Sequence, residues 1–455
     1  MPLTYAEFHA IINAVHRLSF ILILAFLSGC QSFESRKAWM DEAMDQNQKR
    51  EHPKPSQIND FFAYQPSQTH PYLRPKFQRE LDHKTYSRLT AGNDVSLLPN
   101  AHSASVKLGL IKSAKKSIYI ATFQIVCDDG GKLFAKGLVK AMKRGVDVRF
   151  LVTGGPWTWA FSGTCTESMR LKGVNVGTMP YSYITNYGVV QLHDKIFIVD
   201  NKTAIVGGQN IGSWYSKQDE GNVRFRDTDA VVSGPVVLDI LTRFASLWCS
   251  AEPNDPVPIK KIIRPQTQQY AEWLNQKPLK GLCRFISQTP SKEEFWVFEG
   301  YKLYAQRAKR RAIFHSLSLN AYGSPEQENL WNAFNSISEN PNGEVFLITN
   351  GPGFIRSRPE GSPEWVGRIM GYYFLSSVYD SLYDTKIQAF VYPSWLHSKV
   401  YFFDNLAVGI GSFNFDETGL IWTESTMICL DDNLREAAIR MFKQDLKRSY
   451  VLRNP

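Results

Sequence analysis

The sequence predicts an α/β protein built from two similar halves, with its chemistry where the halves meet. Three observations lead there. The chain has 455 residues, more than one ordinary hydrophobic core accommodates. A strand–helix–strand pattern occurs twice in the same order. A hairpin pattern then closes each half and carries the same polar residues at the same offsets.

In the first half, Ser117–Ile125 is β-branched and aromatic and reads as a buried strand. A helix follows, with Phe134, Leu138 and Met142 on one face and Lys132, Lys136 and Lys140 on another. Gly145 ends it, and a second strand, Val146–Val152, runs into the Gly154-Gly155-Pro156 turn. The second half repeats this order with Ala312–Leu319, a helix over Pro325–Ser338, the strand Val345–Ile348 and the turn Asn350-Gly351-Pro352. Alternation of strand and helix is the pattern of an α/β layer.

The hairpins span Val189–Gly208 and Trp395–Gly411. The first reads His193-Asp-Lys195 through Asp200, then Gly207-Gly208-Gln-Asn210; the second reads His397-Ser-Lys399 through Asp404, then Gly411-Ser412-Phe-Asn414. Histidine to lysine is two residues, lysine to aspartate five and histidine to asparagine seventeen in both copies, which lie 204 residues apart. One such histidine on a strand is an ordinary hydrogen-bonded residue; two copies in identical register are not.

Residues two apart on a strand share a face, so each hairpin sets an imidazole beside an ammonium. Glycine on the return strand permits close backbone approach, and the asparagine amide adds donors. Joined, the hairpins supply two histidines, two lysines and two amides, a set that neutralises the nonbridging oxygens of a phosphodiester. One imidazole then attacks phosphorus while the other protonates the leaving group. That division needs a carboxylate on each histidine to fix tautomer and charge. Asp227, preferred over Asp229, and Glu424 are the expected orienting groups. Lys195, Asn210, Lys399, Asn414 and Ser412 are the expected phosphate contacts. Asp200 and Asp404 complete the two motifs and are grouped with their catalytic residues, although their place at hairpin turns suits closing the turn. No metal and no cofactor is assigned.

At these residues the chain resembles the phospholipase D superfamily, whose signature is HxKxxxxD given twice, and the likeness runs over roughly residues 87 to 450. Gly207–Tyr215 and Phe225–Pro235 are similar to its cardiolipin-synthase-like branch. The resemblance implies two α/β/α halves on mixed sheets and one active site at their interface, complete within one chain. It also implies that His193 is the nucleophile and His397 the acid and base. The second half departs from the branch. Asp416 and Glu424 are present, but Thr418-Gly419 and Trp422 replace the branch's Arg-Ser and Asn-x-Glu context, so altered substrate contacts are expected.

The outer segments carry localisation and surface expectations. Arg17, the apolar run Leu18–Leu27, then Ser28, Gly29 and Cys30 follow the order of a secretory signal, and the run is short for a bilayer span. Leu27-Ser28-Gly29-Cys30 resembles a bacterial lipobox. It implies a lipoprotein signal over residues 1–30, acylation of Cys30 and, with Gln31 following, an outer-membrane anchor in a Gram-negative envelope with the body in the periplasm or at the surface. Residues 31–85, polar and punctuated by prolines, read as a tether with a short helix over Ser35–Met44; the halves then occupy 86–255 and 256–455. Five cysteines remain in an oxidising compartment, Cys127, Cys165, Cys249, Cys283 and Cys429, so at least one stays free in a monomer.

Net charge is +9, with 52 Lys+Arg against 43 Asp+Glu, which favours anionic partners: a phospholipid substrate and the membrane surface. Two basic clusters, Arg307/Lys309/Arg310/Arg311 and Lys260/Lys261/Arg264, read as solvated faces in preference to a dedicated binding patch. Trp157, Trp159, Phe161, Phe354 and Trp365 are expected either as an apolar rim at strand ends or as plain core packing. Two readings compete with phospholipid head-group chemistry: a nuclease of the same superfamily, with nucleic acid as partner, and an inactive envelope-binding protein. The four intact His and Lys residues argue against the second.

Overall fold

The computed structural model describes residues 38–42, 51–155, 162–179, 191–216, 225–350 and 375–455. The signal segment with Cys30 and the rim aromatics Trp157, Trp159, Phe161, Phe354 and Trp365 lie outside the described residues.

The expected tether is corrected from residue 51 onward. Helices α1 (Pro55–Ala63) and α2 (Pro75–Thr85) and a 3₁₀ turn at Pro71–Leu73 pack onto the body. They bury Phe61, Tyr72, Phe77 and Leu81. Pro55, Pro71 and Pro75 each stand in the first turn of one of these helices, where a missing N–H costs nothing. They mark helix starts, not a linker. Residues 38–42 are helical, and Trp39 donates from Nε1 to the Arg453 carbonyl at 3.0 Å.

The first half is a seven-stranded sheet in the order β2-β8-β7-β6-β3-β4-β5. Its strands are β2 (Asp94–Pro99), β3 (Ser117–Thr122), β4 (Asp147–Thr153), β5 (Asn175–Met179), β6 (Ile196–Val199), β7 (Thr203–Gly207) and β8 (Thr228–Ser233). The second half is a nine-stranded sheet in the order β1-β9-β15-β14-β13-β10-β11-β12-β16. It uses β1 (Leu89–Thr90), β9 (Leu282–Gln288), β10 (Arg311–Ser316), β11 (Glu344–Thr349), β12 (Gln388–Val391), β13 (Val400–Phe403), β14 (Ala407–Gly411), β15 (Glu424–Leu430) and β16 (Tyr450–Leu452). The halves share one topology. Three parallel strands, β3-β4-β5 or β10-β11-β12, continue into an antiparallel hairpin, β6-β7 or β13-β14.

Strands that are apolar at every position must be covered on both faces, and the side chains alternate accordingly. In β6, Ile196 and Ile198 enter the core between the two sheets, while Phe197 and Val199 enter the outer core of the first half. In β13, Val400 and Phe402 face the central core, Tyr401 and Phe403 the outer core of the second half. Helices α3 (Ala101–Ser113) and α4 (Asp129–Lys143) cover the outside of the first sheet. The helices Trp296–Arg307 and Pro325–Glu339, with α2, cover the outside of the second. Two amphipathic helices, Val236–Ala251 and Asp432–Arg448, fill the layer between the sheets. The mixed-sheet α/β/α organisation of each half is therefore as expected.

Each half holds one disulfide, Cys127–Cys165 and Cys283–Cys429, and Cys249 is a free, exposed thiol.

Candidate active site

His193 and His397 stand in the short segments that lead into β6 and β13. The residues just before them, Leu192 and Leu396, belong to the central core and form β-bridges across the interface, Leu192 to Thr423 and Leu396 to Arg226. Thr423 N–H donates to the Gln191 carbonyl at 2.9 Å, and Arg226 N–H to the Trp395 carbonyl at 2.8 Å. His193 N–H donates to Thr423 Oγ1 at 3.1 Å, and His397 N–H to the Arg226 carbonyl at 2.8 Å.

The next residue after each bridge is the carboxylate. Glu424 Oε1 lies 2.7 Å from His193 Nδ1, and Asp227 Oδ2 lies 2.6 Å from His397 Nδ1. Each histidine is thus oriented by the other half's acid. Holding Nδ1 on a carboxylate makes it the protonated nitrogen and leaves the Nε2 lone pair for chemistry.

Lys195 Nζ donates to the His193 carbonyl at 2.8 Å, and Lys399 Nζ donates to the His397 carbonyl. Both ammoniums are buried. Asn210 donates from Nδ2 to Tyr215 Oη at 3.2 Å, and Asn414 from Nδ2 to Thr418 Oγ1 at 3.2 Å, while the buried Asn414 Oδ1 has no partner among the described residues. Ser412 departs from its expected role: its hydroxyl donates to Glu424 and accepts from Ser425 N–H at 3.0 Å.

Asp200 and Asp404 are corrected from the catalytic set. Asp200 accepts backbone N–H groups of Lys115, Lys116 and Ser117. Asp404 accepts those of Lys309, Arg310 and Arg311 and pairs with His70 Nε2 at 2.8 Å. Each carboxylate ties its hairpin turn to the start of a parallel strand, which is a structural duty at the far end of the hairpin. Asp229 is likewise occupied elsewhere, by Lys107 Nζ at 2.7 Å.

Glycine is required on the return strands. A Cβ on Gly207 would meet Asp229 Oδ1 at 2.2 Å, and one on Gly411 would meet the Ser425 carbonyl at 2.2 Å, so only glycine lets these strands lie against their neighbours.

Burial sets the electrostatics. Desolvation, then the Lys195 and Lys399 charges, hold His193 well below the usual imidazole range; desolvation and the same two lysines do so for His397. Desolvation lowers Lys195 to about 7 and Lys399 to about 8, against the pull of Glu424 and Asp227. Burial raises Asp227 to about 6 and pushes Glu424 well above the carboxylate range. Burial thus pushes both lysines and both acids toward their neutral forms, with both imidazoles neutral as well. An arriving phosphodiester adds one negative charge to a desolvated space, which one further proton offsets. The filled site therefore favours one neutral and one protonated histidine.

Several supporting residues were not foreseen. Trp422 and Phe123 pack on the His193 ring at centroid distances of 5.0 and 5.5 Å. Tyr215 and Phe225 pack on His397 at 5.6 and 5.7 Å. Arg243 grips Asp194, the residue between His193 and Lys195, at 2.9 Å. Behind Lys399 the counterpart is Ser398, which meets His315 Nδ1 at 3.0 Å and donates to Thr228 Oγ1 at 3.0 Å. Burial pushes Asp445 up, but the Arg226 guanidinium overrides it and holds the carboxylate at about 2. Single aromatics and arginines far apart in sequence carry no period or spacing that would have marked them.

The chain resembles known proteins in sequence and in fold. Residues 108–248 match the family described as "Cardiolipin synthase, PLD-like domain". The cardiolipin synthase of Clostridium perfringens strain 13 is 25% identical over 389 residues, covering 80% of this chain and 72% of that protein. Cardiolipin synthase A of Pseudomonas fluorescens is 24% identical over 371 residues, covering 79% and 70%. Among solved structures, phosphatidylserine synthase of Haemophilus influenzae superposes with a TM-score of 0.60 at 14% identity, over 83% of this chain and 92% of that one; this last likeness concerns the fold.

Proposed function

This chain belongs to the phospholipase D superfamily, in its cardiolipin-synthase-like branch, and on that premise we propose that it transfers or hydrolyses phospholipid head groups through a phosphohistidine. The observation that carries this reading is the crossed pair, His193 on Glu424 and His397 on Asp227 at 2.7 and 2.6 Å, with two buried lysines beside them.

The phosphodiester binds with its nonbridging oxygens toward Lys195, Lys399 and the two asparagine amides. His193 Nε2 attacks phosphorus, the phosphorus–oxygen bond to the head group breaks, and His397 Nε2–H gives its proton to the departing oxygen. His397 then takes a proton from water or an alcohol, whose oxygen attacks phosphorus and breaks the phosphorus–nitrogen bond. Water completes hydrolysis; a lipid alcohol completes transfer. The aromatic surroundings of both histidines, Trp422, Phe123, Tyr215 and Phe225, suit an amphiphilic substrate, and two curated relatives bear the name cardiolipin synthase.

We also propose export and anchoring through Cys30. The two disulfides support an oxidising compartment. Among the described residues no helix is long and apolar enough to cross a membrane.

The test is incubation of the protein with vesicles of phosphatidylglycerol and phosphatidylethanolamine, and separately with single- and double-stranded DNA, using His193→Ala as control. Phosphatidic acid or cardiolipin formed only by the unmutated chain is the expected result. DNA cleavage with untouched lipid would move the same histidines to the nuclease reading.

A further inference from the structure

We propose that the connector between the two halves is a membrane-docking edge whose partner is an anionic lipid surface. The connector runs without helix or strand from Pro256 to Gln266 and reads Pro-Val-Pro-Ile-Lys-Lys-Ile-Ile-Arg-Pro-Gln. Its side chains divide. Val257 is buried and Ile262 half-buried, whereas Ile259 is 49% and Ile263 76% exposed, and Lys260, Lys261 and Arg264 all face solvent.

A second apolar group meets this edge. Tyr86, 65% exposed, packs on Trp296 with ring centroids 4.6 Å apart, and both line a cleft of about 400 Å³ together with Ile262, Arg264, Arg88 and Lys292. Three of the seven large apolar side chains exposed among the described residues, Tyr86, Ile259 and Ile263, therefore gather at one edge. Scattered exposed apolar residues are ordinary, but a group of them interleaved with cations is what an interfacial segment offers to a bilayer.

The edge is pre-formed. Arg88 donates to the Ile263 carbonyl, and Arg79 donates to the Pro265 carbonyl at 2.5 Å and to Thr267 Oγ1 at 2.9 Å. A segment already held in place loses little conformational freedom on docking. Arg88 is committed to Asp239 at 3.0 Å. Among the described residues Lys260, Lys261, Arg264 and Lys292 make no ion pair, so their charge is available to lipid phosphates; Glu294 is the remaining acid lining the cleft. Nucleic acid would also meet four cations, but it offers nothing for two projecting isoleucines to enter. A lipid surface takes both the charge and the apolar groups.

This surface lies outside the catalytic pair, so docking is separable from turnover. The test uses the full-length chain with His193→Ala to stop chemistry and Cys30→Ser and Cys249→Ser to leave only disulfide-bonded cysteines. A nitroxide is placed at Ile263→Cys or, as control, at Leu171→Cys, which is 79% exposed on a first-half helix. Power-saturation measurements report label depth, so attachment through the N-terminal apolar run does not produce the signal. With vesicles of equal phosphatidylglycerol and phosphatidylcholine, the label at 263 should gain oxygen access and lose access to an aqueous nickel complex, while the label at 171 stays aqueous. Pure phosphatidylcholine should give no change at 263. Lys260→Glu with Lys261→Glu should lower the ratio of docked to free label by about tenfold or more. A label at 263 that stays aqueous on anionic vesicles, responds equally to phosphatidylcholine, or is shielded by duplex DNA instead would overturn the proposal. Head-group activity, measured separately on the unmutated chain, is unaffected by any of these outcomes.

Discussion

The two halves of this molecule place His, Lys and Asn in the same register, yet surround them differently. In the first half, Asp194 behind the histidine is clamped by Arg243; in the second, Ser398 at that position is a hydroxyl that meets His315, whose other nitrogen lies 3.3 Å from the Arg226-paired Asp445. The first-half histidine leans on the longer acid, Glu424, which itself receives the Ser412 hydroxyl. The second-half histidine leans on the shorter Asp227, and the position matching Ser412 is Gly208, where a Cβ would come within 2.2 Å of Asp227 Oδ1. A duplicated site that keeps its reacting groups but not their supports is suited to divided labour: one imidazole to form a bond to phosphorus, the other to move a proton.

The strongest way to break that assignment is to remove the imidazoles in turn. His193→Ala and His397→Ala should each lower turnover of a natural phospholipid by roughly 10⁴-fold or more. They should separate on a phosphatidyl ester with a nitrophenol leaving group, which departs without a proton. There, His397→Ala should still accumulate phosphoenzyme and stall before its hydrolysis, whereas His193→Ala should form none. Phosphoenzyme in His193→Ala and its absence in His397→Ala, read by rapid acid or base quench, would reverse the roles.

The carboxylates sharpen the comparison, because the structure crosses them. Glu424→Gln, although in the second half, should weaken the nucleophile and slow phosphoenzyme formation by about 10²-fold or more. Asp227→Asn, in the first half, should leave formation with the nitrophenol ester nearly intact and slow its breakdown by a similar factor. Single-turnover rates for both steps test the crossing directly; defects that track each acid's own half would refute it.

A gentler probe is pH. Burial lowers Lys195 to about 7 and Lys399 to about 8, so in the free site the two cations are present at low pH and are lost as pH rises through this range. Affinity for the anionic substrate should fall over the same window, giving kcat/KM a descending limb near pH 7–8. Both histidines sit below the usual imidazole range, so the acid limb should begin well under pH 6.5. The profile of kcat, which reports the occupied site, should have its basic limb shifted upward because bound phosphate stabilises the ammoniums. Identical limbs in the two profiles would argue against lysines as the phosphate contacts.

Much of this was legible in the chain because the informative features are local. The motif residues, the strand His193 leads into and the helix carrying Phe134 and Leu138 are all set by spacing over a few residues, and duplication made the spacing significant. Asp227 and Glu424 were found as acids downstream of each motif, but not their crossed pairing, since that depends on the bridges Leu192–Thr423 and Leu396–Arg226 between residues far apart in the chain. Residues 51–85 were misread because short proline-started helices have too few turns to display a period. Ser412 is expected from the motif as a phosphate contact, but its hydroxyl is spent on Glu424, a pairing that depends on the neighbouring strand and not on local spacing.

The smallest expected effect lies at that serine. Ser412→Ala removes the hydroxyl donated to Glu424 and leaves Ser425 N–H without its 3.0 Å acceptor. Burial already raises Glu424, and the lost hydrogen bond raises it further, so the carboxylate supports imidazole positive charge less well as His193 attacks. About 1 kcal/mol, or roughly fivefold in phosphoenzyme formation, is the expected cost. The first half has no hydroxyl to delete, and adding a Cβ there is the mirror experiment. Gly208→Ala must displace Asp227, so its loss should exceed that of Ser412→Ala and fall on the breakdown of the intermediate, the step assigned to His397. If the two substitutions slow the same step, the halves do not divide the reaction as their supports imply.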